Sequence, residues 1–264
     1  MTKVYIGTSG YSYKDWVGPV YPPGTRQQDY LDHYCREFNM VELNFSYYRQ
    51  PEKNMLQRMV DRTGPDFLFC IKAHKSLTHE AGDNLQQDID KYKDGITPLL
   101  DAGKLGAVLF QFPYSFHYTP ANRKYLDFLL QSFTGVPSVV EFRNSKWQQA
   151  SVLQGLAERD VGMVNVDEPE LQNLLKPGSD VTSIIGYIRF HGRNKTNWWQ
   201  GDNTSRYDYL YSAAELNEWL PRILDIIKTA KLLLVAFNNH YKGQAVENAR
   251  QLKALLAAEG IDTH

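Results

Sequence analysis

Cysteine is almost absent: Cys35 and Cys70 are the only two in 264 residues. Two are too few for a disulfide framework, and they lack the paired spacing of a structural zinc site. Cys70 lies inside the apolar run FLFCIK, where a thiol is most often buried packing. Charge bias is missing too, since 29 basic against 30 acidic residues leave a formal net charge of −1. That balance gives no global pull toward nucleic acid or anionic membrane, so either partner would need a local patch. No apolar run approaches the ~18 residues of a membrane span. The start, MTKVYIGTSG, lacks the charged and apolar segments of a signal peptide. The expectation is a soluble, cytoplasmic monomer with no membrane partner. Also missing are a Walker-type phosphate loop, the H-E-x-x-H zinc motif and the G-x-S-x-G nucleophile elbow. The loop GTSGYS does not match the G-x-G-x-x-G dinucleotide turn.

What is present is an alternation. The apolar share is 42%, and 17 tyrosines and 12 phenylalanines add bulk for a core. Eight short apolar runs, rich in branched and aromatic residues, predict strands at 4–7, 40–44, 67–72, 106–112, 138–142, 162–166, 186–190 and 232–237. Helical patterns separate them. Thr25 is expected to cap a helix carrying Tyr30, Leu31, Tyr34 and Phe38. Pro51 is expected in the first turn of a helix with Met55 and Met59, and Thr119 with Pro120 opens another. Leu216, Trp219, Leu220, Ile223 and Ile227 repeat at helical spacing, as do Ala245, Ala249, Leu252 and Leu256. PELQNLL is the poorest helical pattern. Eight strand–helix units with right-handed crossovers most simply close into a (β/α)8 TIM-type barrel, a single domain over 1–264. An open doubly wound sheet is the competitor.

In such a barrel the catalytic end is where the strands finish, and residues two apart face the same way. Those ends carry Glu42 with Asn44, Lys72 with His74, Gln111, Glu141 with Arg143, Asn165 with Asp167, Arg189 with His191, and Asn238. A buried charge is unfavourable by several kcal/mol unless it is paired or hydrogen-bonded. One acid–base pair could be scaffolding; a whole ring is harder to account for without a ligand or water. Tyr11, Tyr13, Trp16, Tyr47, Tyr48, Trp147, Trp198 and Trp199 sit in the following loops and could wall a cleft. The long polar and aromatic stretch 191–213 reads as a lid.

The segments IGTSGYSYKDWVGPVYP, FNMVELNFSYYRQP, FCIKAHKSLTH, GAVLFQFPYSF, VVEFRNSKW, YIRFHGRN and FNNHYKGQAVENA resemble, in order, the motifs of the YecE-like family, catalogued as domain of unknown function 72. The resemblance spans essentially the whole chain. It implies a TIM-type barrel, similar in outline to the xylose-isomerase and endonuclease-four barrels, and implies no activity. Its motif positions correspond to Ser9, Glu42, Lys72, His79, Gln111, Glu141, Arg143, Asp167, Arg189, His191, Arg193, Asn238, Asn239 and Asn248.

Anion binding is the property these residues support best. Phosphates in such barrels often sit at the loops after strands seven and eight, here offering Arg189, His191, Arg193 and the amides around Gly243. The expected arrangement has Glu42, Glu141, Asp167 and His191 as catalytic candidates for proton transfer. Ser9, Lys72, His79, Gln111, Arg143, Arg189, Arg193, Asn238 and Asn239 would bind substrate. The ligand expected is small and anionic, carrying a phosphate and a sugar or base. No cofactor is expected. A divalent metal held by His74, His79, Glu141, Asp167 and His191 is the alternative, which would suit a phosphodiesterase or sugar isomerase. A non-catalytic ligand-binding barrel is the third reading, and nucleic acid is disfavoured.

Overall fold

Each of the eight apolar runs forms a strand in the computed structural model, which describes residues 2–202 and 204–264. They are β1 (Lys3–Ser9), β2 (Met40–Leu43), β3 (Leu68–Lys72), β4 (Leu105–Gln111), β5 (Ser138–Glu141), β6 (Gly162–Asp167), β7 (Ile185–Phe190) and β8 (Leu232–Phe237). They hydrogen-bond in chain order, all parallel, and β8 closes onto β1. Continuous burial along these strands follows from that closure, because one face fills the barrel and the other carries the helices. The expected barrel is the observed fold.

Closure is uneven. β1 and β8 pair over six residues, from Lys3↔Leu232 to Thr8↔Phe237, whereas β1 and β2 pair only at Thr8↔Val41 and Ser9↔Glu42. Below that short ladder the hydroxyl of Tyr34 takes the place of a backbone partner. It accepts from Thr8 N at 2.9 Å and donates to the Met40 carbonyl at 2.9 Å. Gly7 permits the approach, since a Cβ there would lie 2.0 Å from the Met40 oxygen.

The helices depart from expectation at their starts. Thr25 caps nothing; its hydroxyl donates to the Pro22 carbonyl, and the helix runs only over Tyr30–Tyr34. Pro51 lies before its helix, which spans Lys53–Asp61. Thr119 does accept from Asn122 N at 3.2 Å, with Pro120 opening Pro120–Ser132. The Leu216–Ile227 pattern divides into Ala213–Asn217, opened by a Ser212–Glu215 capping box, and Leu220–Thr229. PELQNLL forms turns and no helix, so β6 reaches β7 through an irregular segment. Asn165 holds that segment: its amide donates to the Asp180 carbonyl and its oxygen accepts from Asp180 N, both at 2.9 Å. Among the described residues no helix is long and apolar enough to cross a membrane.

Candidate functional site

A chain of alternating acidic and basic side chains crosses the carboxyl end of the barrel. Arg189 of β7 donates from Nε to Glu42 Oε2 at 2.9 Å and from Nη2 to Glu42 Oε1 at 2.7 Å. Its Nη1 donates to Glu141 Oε2 at 2.6 Å. Arg143, just past β5, meets Glu141 Oε1 through Nε at 2.6 Å, an ion contact without aligned hydrogen-bond geometry. Its Nη1 donates to Glu168 Oε2 at 3.2 Å. The order is Glu42, Arg189, Glu141, Arg143, Glu168. Glu42 also accepts from Ser9 Oγ at 2.6 Å and from the Tyr187 hydroxyl at 2.8 Å. The Ser9↔Glu42 register sets the first of these two contacts.

The surroundings decide the protonation of these groups. Burial opposes charge on Glu141, but Arg143 and Arg189, helped by His191, hold its carboxyl well below the usual range. Glu168 goes the other way: burial raises it to about 8, with Arg143 opposing. His191 lies between Arg143 Nη2 at 3.1 Å and Glu141 Oε1 at 3.3 Å, with Asn238 Nδ2 at 3.1 Å from its Nδ1. Burial and then Arg143 lower His191 to about 3, so the ring is neutral near pH 7.

Above this chain opens a cavity of about 720 Å³, a volume in the range of small-molecule sites. Lys72, Arg143, Arg189 and Arg206 line it, and among the described residues no carboxylate does. Tyr11, Tyr13, Tyr47, Tyr48 and Tyr207 form aromatic walls. His79 also faces it, its pKa lowered to about 4 by partial burial and then by Lys72. A separate hollow of about 450 Å³ lies on the helical layer, walled by Leu126, Leu130, Trp147, Val152 and Leu156, and shares no lining residue with the cavity.

The candidate residues divide into three groups. Lys72, His79, Gln111, Arg143, Arg189 and Asn238 line the cavity. Ser9, Glu42, Glu141 and His191 lie buried beneath it, engaged with the arginines or, for Ser9, chiefly with Glu42. Asp167, Arg193 and Asn239 belong to neither set. Asp167 is buried and accepts from Arg193 Nη2, the Tyr211 hydroxyl and Trp219 Nε1, each at 2.7 Å. Asn239 donates to the Tyr209 carbonyl and to Asn248 Oδ1, both at 2.8 Å. Both networks pin the stretch after β7 to the barrel. Gly243 packs against Val20 and Pro19, and it is Asn238 and His240 of its loop that reach the cavity. His74 caps the short helix Lys75–Thr78. Of the tryptophan candidates, Trp16, Trp147 and Trp198 are buried and Trp199 is exposed.

The stretch 191–213 places Arg206 and Tyr207 on the cavity; within it Asn203 lies outside the described residues. Arg206 was not singled out by the sequence. It lies in a polar loop with no strand end to mark it, and only the route of the loop brings it over the mouth. Its Nε is buried with no hydrogen-bond partner among the described residues. Cys70 is buried, and burial pushes its thiol up to about 12, which suits packing and not nucleophilic attack.

An eight-stranded parallel barrel with a cation-lined mouth is therefore the class of protein that fold and site define. The chain belongs to the family described as Protein of unknown function DUF72, whose model matches residues 5–263. It is 33% identical to the UPF0759 protein YunF of Bacillus subtilis over 278 residues, covering 97% of this chain and 95% of that one. A crystal structure of a DUF72 family protein from Thermotoga maritima superposes with a TM-score of 0.89 at 38% identity, covering 97% of this chain and 99% of that one. One from Enterococcus faecalis gives 0.87 at 27% identity, covering 99% and 97%.

Proposed function

We propose that the barrel mouth binds a small anionic substrate, a phosphate ester carrying a sugar or base, and transforms it without a resident metal. One observation carries this: the cavity is lined by Lys72, Arg143, Arg189 and Arg206 with no lining carboxylate among the described residues. Guanidinium forks suit phosphate oxygens, and the tyrosine walls suit the faces of a sugar or base. Glu42 and Glu141 then act through the arginines. Glu141, held well below the usual carboxylate range by Arg143 and Arg189, stays ionised, and the oxygens of Glu42 are taken by Arg189, Ser9 and Tyr187, which makes both poor proton carriers. Proton transfer falls to neutral groups on the cavity wall.

The residues that could have held a divalent cation fit it badly. Arg189 and Arg143 each approach Glu141 to 2.6 Å, and Arg193 and Tyr211 occupy Asp167. Among the described residues no group of three or more histidine, cysteine, aspartate or glutamate side chains is arranged for a metal ion.

The test is calorimetric and thermal-shift titration of the purified chain with inorganic phosphate and a sugar phosphate, with and without a chelator. Saturable binding that raises Tm and survives chelation is expected; a hundredfold excess over Kd stabilises by about 2.7 kcal/mol. Absence of binding by both probes, or binding abolished by chelation and restored by a divalent metal, would refute the reading.

A further inference from the structure

Lys72 and Arg206 are the two cations of the cavity with no ion-pair partner among the described residues, whereas Arg189 and Arg143 are each held by two carboxylates. Only the lysine can give up its proton, because a guanidinium stays charged in proteins. The contacts of Lys72 Nζ are neutral: Gln111 Oε1 at 2.7 Å and the face of Tyr47, 4.3 Å from its ring centre. Gln111 is itself fixed, donating its amide to the Phe112 carbonyl at 2.6 Å, so its oxygen is turned to the lysine. The backbone is fixed as well, since Ser46 Oγ and the Tyr92 hydroxyl both donate to the Lys72 carbonyl, at 2.6 and 3.1 Å. The result is an amine at a strand end, fixed at its backbone and at its nitrogen, facing a cavity and without an ion-pair partner among the described residues.

We propose that Lys72 is a catalytic amine, forming an imine with the carbonyl carbon of an anionic aldehyde or ketone whose negative group lies on Arg143, Arg189 and Arg206. This deepens the anion-binding reading and rests on it. The free amine attacks the carbonyl carbon with its nitrogen lone pair, and the C=O π electrons move to oxygen, which takes up a proton. The nitrogen of the resulting carbinolamine loses a proton, the hydroxyl leaves as water after a second protonation, and a C=N bond remains. The nitrogen lone pair forms that bond as water departs, and the nitrogen then releases its second proton, so amine plus carbonyl gives imine plus water with no oxidant or reductant. Burial first, then Arg189, lowers the ammonium to about 7 against the opposing pull of Glu141, so about half is free base at neutral pH. Tyr47 and His79, in edge contact at 4.9 Å, stand beside the amine as groups able to relay the protons.

The experiment is reductive trapping. The purified full chain is incubated at pH 7 with dihydroxyacetone phosphate or pyruvate and cyanoborohydride, then mapped by peptide mass spectrometry, with and without excess inorganic phosphate. The expected result is one reduced adduct, on Lys72, suppressed by phosphate and lost in Lys72→Arg, whose circular dichroism and cooperative melting curve report an intact fold. If Lys72→Arg does not fold, the wild-type pH profile serves: Lys72 should label half-maximally near pH 7, and surface lysines only toward their ordinary ~10.4. Phosphate binding with no adduct on Lys72 overturns the imine role and leaves the anion site standing. An adduct on Lys72 in a protein that binds no phosphate supports the imine role and overturns the anion site. Labelling spread over surface lysines, with no enrichment at Lys72, overturns the proposal.

Discussion

Arg189 grips Glu42 through two nitrogens at once, Nε at 2.9 Å and Nη2 at 2.7 Å, beneath the floor of the barrel mouth. Both side chains are almost fully removed from solvent, and Arg189 carries a second carboxylate, Glu141, on Nη1. Removing one partner of a buried pair leaves the other charged and unmatched. Glu42→Ala should therefore destabilise the fold by about 3–5 kcal/mol, read from chemical denaturation. Glu42→Gln, which keeps an acceptor and about the same volume, should lose less. An alanine variant as stable as the parent would show that the chain of charges does not hold the floor.

Arg206 reaches the cavity from the loop after β7 with no carboxylate partner among the described residues. A charge-assisted hydrogen bond is worth about 1.5–3 kcal/mol, so Arg206→Ala should weaken phosphate binding roughly 10- to 100-fold. Its removal orphans no buried carboxylate, so stability should stay within about 0.5 kcal/mol. Calorimetric titration and a melting curve on the same sample check both halves.

His191 predicts the acid limb of stability. Its pKa is about 3 in the folded chain and about 6.5 in the unfolded one. Between those values the unfolded state binds the extra proton, so unfolding becomes easier as the pH falls. The contribution is at most about 1.4 kcal/mol per pH unit over that window, and it vanishes above it. Denaturation of wild type and His191→Asn from pH 7 to about pH 4 should show a shallower slope for the variant; parallel slopes would refute the assignment.

Gly7 lets the Met40 carbonyl and the Tyr34 hydroxyl meet across the short β1–β2 ladder, and a Cβ would fall 2.0 Å from that carbonyl oxygen. Gly7→Ala should push the strands apart and destabilise by about 1–3 kcal/mol or more. A melting temperature unchanged by this substitution would mean the approach is not tight.

The sequence by itself determined the barrel and its polar end. Eight apolar runs too short for buried helices leave parallel strands as the economical solution, and strand parity then puts Glu42, Lys72, Glu141 and Arg189 at one rim. What parity could not decide is depth and partnership. Glu141 and Arg143 were legible as an acid–base pair, yet a sequence does not say that Arg189 from another strand reaches the same carboxylate. That contact gives the expected acid a second guanidinium partner. Asp167 was likewise legible as a strand-end carboxylate, but Tyr211, Trp219 and Arg193, all 26 or more residues away, claim its oxygens. Arg206 and the bare amine of Lys72 came only from tertiary structure, since whether a charge has a partner depends on loops that close through space. Periodicity is a local property of the chain, and neutralisation is not.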